Sequence, residues 1–289
     1  MPDQDTDVRL ATAHAPVARA RHAMAGPRAT TPSWFSLLVA QTRYQLKVSL
    51  RNSRTITSSI LLPVLILIAL RSTSGAGLGS INNQVLVAGA LVYGAISMAY
   101  LSHATALVTA REKGVLKRFR GSPLPSWIYF TGRIITTTVL AVLASLVALE
   151  LAVDIVGISF PWARLGWILL GLMIGSLVWA ALGTMMSGVI STPDSAWSTL
   201  ITTFLPLMFI SGIFIPTSTE PVWLADIANW LPAEPFGDFI QHCLSGPLVG
   251  LPRDLLVLAG WLVVSSLAAR WTFKWLPVTR KRRKATRKA

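Results

Sequence analysis

Long apolar runs alternate with short polar and basic intervals along this chain. Hydrocarbon offers no partner for backbone N–H and C=O groups, so a chain crossing it closes its hydrogen bonds within helices of ~20 mainly apolar residues. The pattern predicts six such spans, at 55–70, 85–109, 134–156, 165–190, 197–215 and 254–275. The first is short and carries Pro63. Boundaries read this way carry an error of ~2–4 residues.

Ahead of the spans, 33–54 has a different period. At 100° per residue Arg43, Lys47, Arg51 and Arg54 fall on one arc, and Trp34, Leu37, Leu38, Tyr44 and Val48 on another. A basic amphipathic helix with aromatic anchors suits the headgroup plane; a plain extension of the first span is the other reading. Between the last two spans, 216–253 is rich in proline and aromatic residues. Trp223, Ile227 and Trp230 have helical spacing there. Two short helices that enter the outer leaflet and return are predicted, packed on the other spans because irregular backbone at that depth needs protein around it.

Composition agrees with the pattern. Of 289 residues, 53% are hydrophobic and 13% charged, against roughly a quarter charged in a soluble domain. The formal charge of +14 suggests nucleic acid until the cations are placed. They flank apolar runs, as the positive-inside bias requires, and no soluble module carries a basic face with interleaved aromatics, so no nucleic-acid partner is expected. Lys and Arg crowd the segment before the first span, the interval 111–125 and the end from Lys274, whereas Arg71, Arg164 and Arg253 are sparse on the other side. Both termini are therefore expected in the cytoplasm. The organisation follows: a disordered tail 1–32 without a signal-type apolar core, a membrane domain 33–275, and a basic tail 276–289. The fold class is an all-α polytopic membrane protein of six spans. The one cysteine, Cys243, has no intrachain disulfide partner and is expected to be a buried or interfacial thiol.

Catalytic motifs are missing. There is no G-x-x-x-x-G-K-[ST] phosphate loop, no H-E-x-x-H or Cys/His zinc spacing, and no G-x-S-x-G. Glu150 and Asp154 lie four apart on one face near the outer end of the third span. Such a pair serves proton coupling, a metal or a cationic substrate, or sits in the headgroups beside Arg164. His103 suits packing better than chemistry. Gly171 and Gly175 form a G-x-x-x-G pair for close helix approach, within or between subunits. Met185, Met186, Phe204, Met208 and Phe209 suit a greasy pathway of variable shape, or plain core.

The sharpest feature is 111–125, R-E-K-G-V-L-K-R-F-R-G-S-P-L-P, a basic interval between two spans. This segment, with S-G-I-F-I-P at 211–216, W-L-A-D-I-A-N-W-L-P at 223–232 and the amphipathic 33–54, resembles the type-2 permeases of ATP-binding-cassette exporters, the daunorubicin-resistance-like group. The likeness covers 33–275. It implies an elbow helix at 33–54, a coupling helix between the second and third spans, and a re-entrant element before the last. It also implies partners: a second permease copy or paralogue, and separate ATPase subunits that carry the ATP and Mg, with no cofactor in this chain. By position Arg111, Glu112, Lys113, Gly114, Val115, Leu116, Lys117 and Arg118 would contact the ATPase. Glu150, Asp154, Met185, Phe204 and Met208 remain as pathway residues. The expectation is a non-catalytic permease in a bacterial inner membrane that exports a hydrophobic or amphipathic compound. Export of a polysaccharide or glycolipid, and a membrane enzyme using Glu150 and Asp154, are the alternatives.

Overall fold

The computed structural model describes residues 33–51, 83–122, 124–157, 162–211, 221–244 and 247–274, with scattered positions between 57 and 72. The tails 1–32 and 276–289, most of the predicted span 55–70, and 212–220 lie outside the described residues. Among the described residues every regular element is helical. The chain divides into a unit ending at Leu37 and a unit from Leu38 onward. The described part of the first is the opening turn of helix α1 (Trp34–Leu50), where Ser33 Oγ accepts from Ser36 N at 3.2 Å. That bond satisfies one of the amides a helix start leaves unpaired.

In the second unit the rest of α1 is tied to a later helix by two polar contacts. Gln45, buried, donates Nε2 to Tyr129 O at 3.2 Å, and Thr136 Oγ1, which donates to Gly132 O at 2.8 Å, also lies 3.3 Å from Thr42 O. The predicted helix 33–54 is thus present as Trp34–Leu50.

Helix α2 runs Asn83–Glu112. Every residue from Leu86 to Ile96 is buried, because Ala88, Gly89, Ala90, Gly94 and Ala95 let neighbours approach on all sides. A helix apolar all round belongs in the middle. Its centre, Ser97–Ser102, is wound as a π-helix, a rare winding that concentrates at functional sites. Lys113 and Gly114 break the helix. Gly114 has φ +69°, a left-handed conformation with no Cβ penalty only for glycine. Short helix α3 (Val115–Arg120) follows.

Helix α4 (Ser126–Val156) ends at Gly157, whose φ is +72° and whose N–H returns to Val153 O at 2.8 Å. That is a left-handed stop. Helix α5 (Leu165–Val189) is flanked by α2, α4 and the later helices Ala233–Leu244 and Leu251–Thr272. Helix α6 (Pro193–Ile210) opens with Thr192 accepting from Ser195 N, Pro193 in the first turn and Asp194 behind it. Each favours a helix start. The pair α7 (Val222–Ala228) and α8 (Ala233–Leu244) matches the two short helices predicted, and α8 is buried against α2, α5 and α9 (Leu251–Thr272).

Among the described residues four stretches are long and apolar enough to cross a membrane: Asn83–Glu112, Ser126–Ile155, Trp162–Val189 and Leu248–Thr272. They correspond to the expected second, third, fourth and sixth spans. The third starts eight residues before the predicted 134, directly after Pro125, because its first turns belong to an aromatic cluster rather than to hydrocarbon. The fifth is shifted toward the N-terminus. Pro193–Ile210 has 18 residues, about 27 Å of helix, and its predicted continuation lies outside the described residues.

The G-x-x-x-G pair acquires a specific partner. A Cβ on Gly171 would stand 2.3 Å from the Phe239 ring, and one on Gly175 2.3 Å from the Phe236 ring. Both rings are fully buried. The glycine stripe of α5 is therefore the seat of α8, within one chain. Gly175→Ala is expected to lower stability by about 1–3 kcal/mol, the usual cost of overpacking. Adding Phe236→Leu should recover part of the loss. Thermal unfolding of the purified chain in detergent reads both, and equal midpoints for all three proteins would refute the seat.

Candidate functional site

The basic interval folds as a handle with two faces. Leu116 of α3 is fully buried in a cluster with Leu107 and Tyr129, bordered by Phe119, Phe130 and Phe273. Its rings interlock: Phe119 and Tyr129 centroids are 4.7 Å apart, Tyr129 and Phe130 5.5 Å, and Phe130 and Phe273 4.8 Å. Tilted and edge-on pairs at such spacing are favourable beyond their area. The opposite face carries Glu112, Lys113, Lys117, Arg118 and Arg120, all exposed. Gly114 and Val115 are half-buried at the turn between α2 and α3.

Arg111 behaves differently from its neighbours. It is 1% exposed. Nη1 donates to Ser187 O at 2.8 Å, and Nη2 donates to Ile190 O and, more loosely at 3.4 Å, to Ser191 O. These carbonyls lie at and just beyond the C-terminus of α5, where a helix leaves acceptors without amides and carries partial negative charge. A guanidinium fits that place, because its fixed fork serves several acceptors at once and its charge faces the negative end of the dipole. Arg111 thus clamps the corner between α5 and α6 to the last turn of α2, one residue before the exposed basic face begins.

Two more polar groups of α2 act in the same manner further along it. His103 is buried, with Nδ1 2.9 Å from Thr137 Oγ1 and Nε2 3.0 Å from Thr184 Oγ1. Thr184 Oγ1 donates its proton to Ala180 O at 2.8 Å, so it accepts from Nε2–H, and Nδ1 accepts from Thr137. Both nitrogens of a neutral imidazole are then satisfied, and α2, α4 and α5 are joined. Tyr100, in the π segment, bonds Thr203 of α6 at 2.7 Å. Its ring lies edge-on to Trp179 at 5.4 Å and near Phe204 at 6.5 Å. Sequence reading missed Tyr100, Thr137, Thr184 and Thr203. Their signal was hydroxyl groups inside apolar spans, which must find partners there.

The remaining predicted residues are dispersed. Glu150 and Asp154 are exposed on one face of α4. Phe204 and Met208 point into the core, with Phe204 fully buried beside Tyr93 at 5.5 Å. Met185 is half-buried against the same core. Among the described residues no three of His, Cys, Asp and Glu gather as metal ligands.

The far end of the helices holds a second set of charges. His242 Nδ1 is 3.4 Å from Asp254 Oδ2, and Arg164 Nη1 donates to His242 O at 3.2 Å. Cys243 is buried, which pushes its thiol up to about 11 and leaves it a packing residue. Burial, reinforced by Asp254 and opposed by His242 and Arg253, pushes the Asp238 carboxyl up to about 6 from 3.8. The folded chain then holds this proton more tightly than the unfolded chain does. The contribution is complete below about pH 3.8 and is lost as pH rises through about 6. Thermal midpoints over this window should fall less with rising pH in Asp238→Asn than in the wild type. An identical slope in both proteins would count against the burial of this carboxyl.

YvfS of Bacillus subtilis (strain 168), named a transport permease, is 27% identical over 171 residues, which is 57% of this chain and 66% of YvfS. YbhR of Escherichia coli (strain K12), named a multidrug ABC transporter permease, is 27% identical over 133 residues, 46% of this chain and 36% of YbhR. The chain thus spans under two thirds of YvfS and about a third of YbhR in these alignments. The family model described as ABC-2 type transporter matches residues 36–242, a range that holds the basic handle, the Arg111 clamp, α7 and most of α8. On that match the chain belongs to the ABC-2 type transporter family, and its long apolar helices make it a multi-pass membrane protein.

Proposed function

We propose that this chain is the force-receiving permease of an ATP-driven exporter whose ATP and Mg are bound by separate subunits. The carrying observation is the two-faced handle: cations outward on α3, aromatic packing inward, and Arg111 tying the adjoining turn to the α5–α6 corner. An ATPase docked on Glu112, Lys113, Lys117 and Arg118 pushes on a rigid element. The push passes through Leu116 to α4 and through Arg111 to α5 and α6. Arg111 is placed to transmit the stroke, whereas its exposed neighbours are placed to receive it.

The cargo in this reading is hydrophobic or amphipathic, and the path runs between two permease copies. Residues lining such a path are exposed in a single copy. Leu205 and Phe209 of α6 are exposed by 43% and 65%, while Phe204 and Met208, each one position earlier, face inward. The outward stripe of α6 is therefore the better candidate for cargo contact, with Phe204 and Met208 holding the helix in place. YbhR's name, which includes multidrug, supports a compound of this kind. With both termini in the cytoplasm, as the Lys and Arg distribution favours, the handle faces the ATP supply and α7 and α8 lie on the export side.

Reconstitution tests the reading. The purified chain alone should hydrolyse no ATP, and joined to its ATPase in liposomes it should move a hydrophobic fluorescent cargo on ATP addition. Reversing Lys117 and Arg118 to Glu should weaken ATPase binding at least tenfold, about 1.4 kcal/mol, with the chain still folded. Unchanged ATPase affinity in the reversed protein would refute the docking face.

A further inference from the structure

A furrow of about 450 Å³ lies between the start of α9 and the link from α7 to α8, at the end of the molecule opposite the handle. Its walls are apolar: Trp230, Leu256, Val257, Trp261 and Val264. Two features hold it open. Trp261 Nε1 donates to Trp230 O at 2.7 Å, which pins the link to α9. At Gly260 nothing lies within 4 Å of where a Cβ would stand, so this helical glycine, a residue that weakens a helix relative to alanine, leaves a gap in the wall.

One cation stands at the mouth. Arg253 Nη2 donates to Asn229 Oδ1 at 2.7 Å, which orients the guanidinium and leaves most of its five donors available. From Arg253 to Val264 the helix advances about 16 Å at 1.5 Å per residue. That is about half of the ~30 Å apolar layer, or one leaflet. The furrow thus has the charge of an anion site at its mouth and the depth of an acyl chain below it. Guanidinium binds phosphate oxygens in bidentate fashion.

We propose that this furrow is a binding site for an anionic phospholipid of that leaflet. The phosphate sits on Arg253, and one acyl chain lies along Leu256, Gly260 and Val264 against the two tryptophans. This inference rests on α9 as a membrane span and does not depend on the cargo or on the ATPase partner. The occupant is a resident lipid that fastens α7 and α8 to α9.

The test uses the purified full-length chain in nanodiscs of neutral phospholipid, titrated with bromine-labelled phosphatidylglycerol or phosphatidylcholine. The reporter is the fluorescence of Trp230, read as wild type minus Trp230→Phe, since that ring is exposed and its loss spares the core. Half-quenching is expected at a several-fold lower mole fraction of phosphatidylglycerol than of phosphatidylcholine. Arg253→Gln should erase that preference and Arg253→Lys should keep most of it. Gly260→Leu fills open space, favours helix, and should protect Trp230 from both lipids. Equal quenching by the two lipids in wild type overturns the proposal. So does a preference that survives Arg253→Gln, or full quenching in Gly260→Leu.

Discussion

A buried guanidinium holds the handle end of this protein together. Charge removed from water is costly unless it is hydrogen-bonded, and here Nη1 and Nη2, though not Nε, bond the carbonyls that α5 exposes as it ends. Neither partner is comfortable alone. Arg111 without the α5 end would be a charge in an apolar setting, and the α5 end without Arg111 would present orphan acceptors to it. Their pairing fixes where α2 stops, where α5 stops and where α6 begins. The handle at 112–122 hangs from this joint, so its position relative to the spans is set by the same bond set.

Further along α2 the same logic recurs at lower charge. Hydrocarbon lends no drive for one apolar helix to prefer another, so packing and a few polar ties decide. Small residues bring α2 close to its neighbours, and Tyr100 and His103 then tie it to α6, α4 and α5. The π winding at Ser97–Ser102 falls where these ties converge. α2 is thus clamped at its handle end and wound at its centre in a form that concentrates at functional sites. The opposite end relies on shape, with Phe236 and Phe239 seated on the glycines of α5.

Much of this was legible in the sequence because the period and the punctuation were strong. Apolar runs located the four long spans among the described residues, and the helical spacing of Trp223, Ile227 and Trp230 located the helices ahead of α9. The role of Arg111 was not legible. In sequence it is one more cation in a basic cluster, and only the fold brings the end of α5 to it. Phe204 and Met208 were offered as pathway residues because residue type reports greasiness without direction; α6 turns them inward and leaves Leu205 and Phe209 outside. The partner of Gly171 and Gly175 was likewise hidden, since a small-residue stripe says that something approaches closely and not what.

In the proposed function Arg111 makes the handle and the α5–α6 corner one moving body. Spin labels on Ser122 and Asp194, both exposed, measure it directly by pulsed dipolar spectroscopy on the complex with its ATPase, with and without a non-hydrolysable ATP analogue. In wild type the distance between the two labels should stay constant while the handle moves relative to a third label on α9. In Arg111→Gln the same distance should broaden and change with nucleotide. A wild-type distance that shifts with nucleotide, or an Arg111→Gln distance as sharp and constant as wild type, would contradict the account.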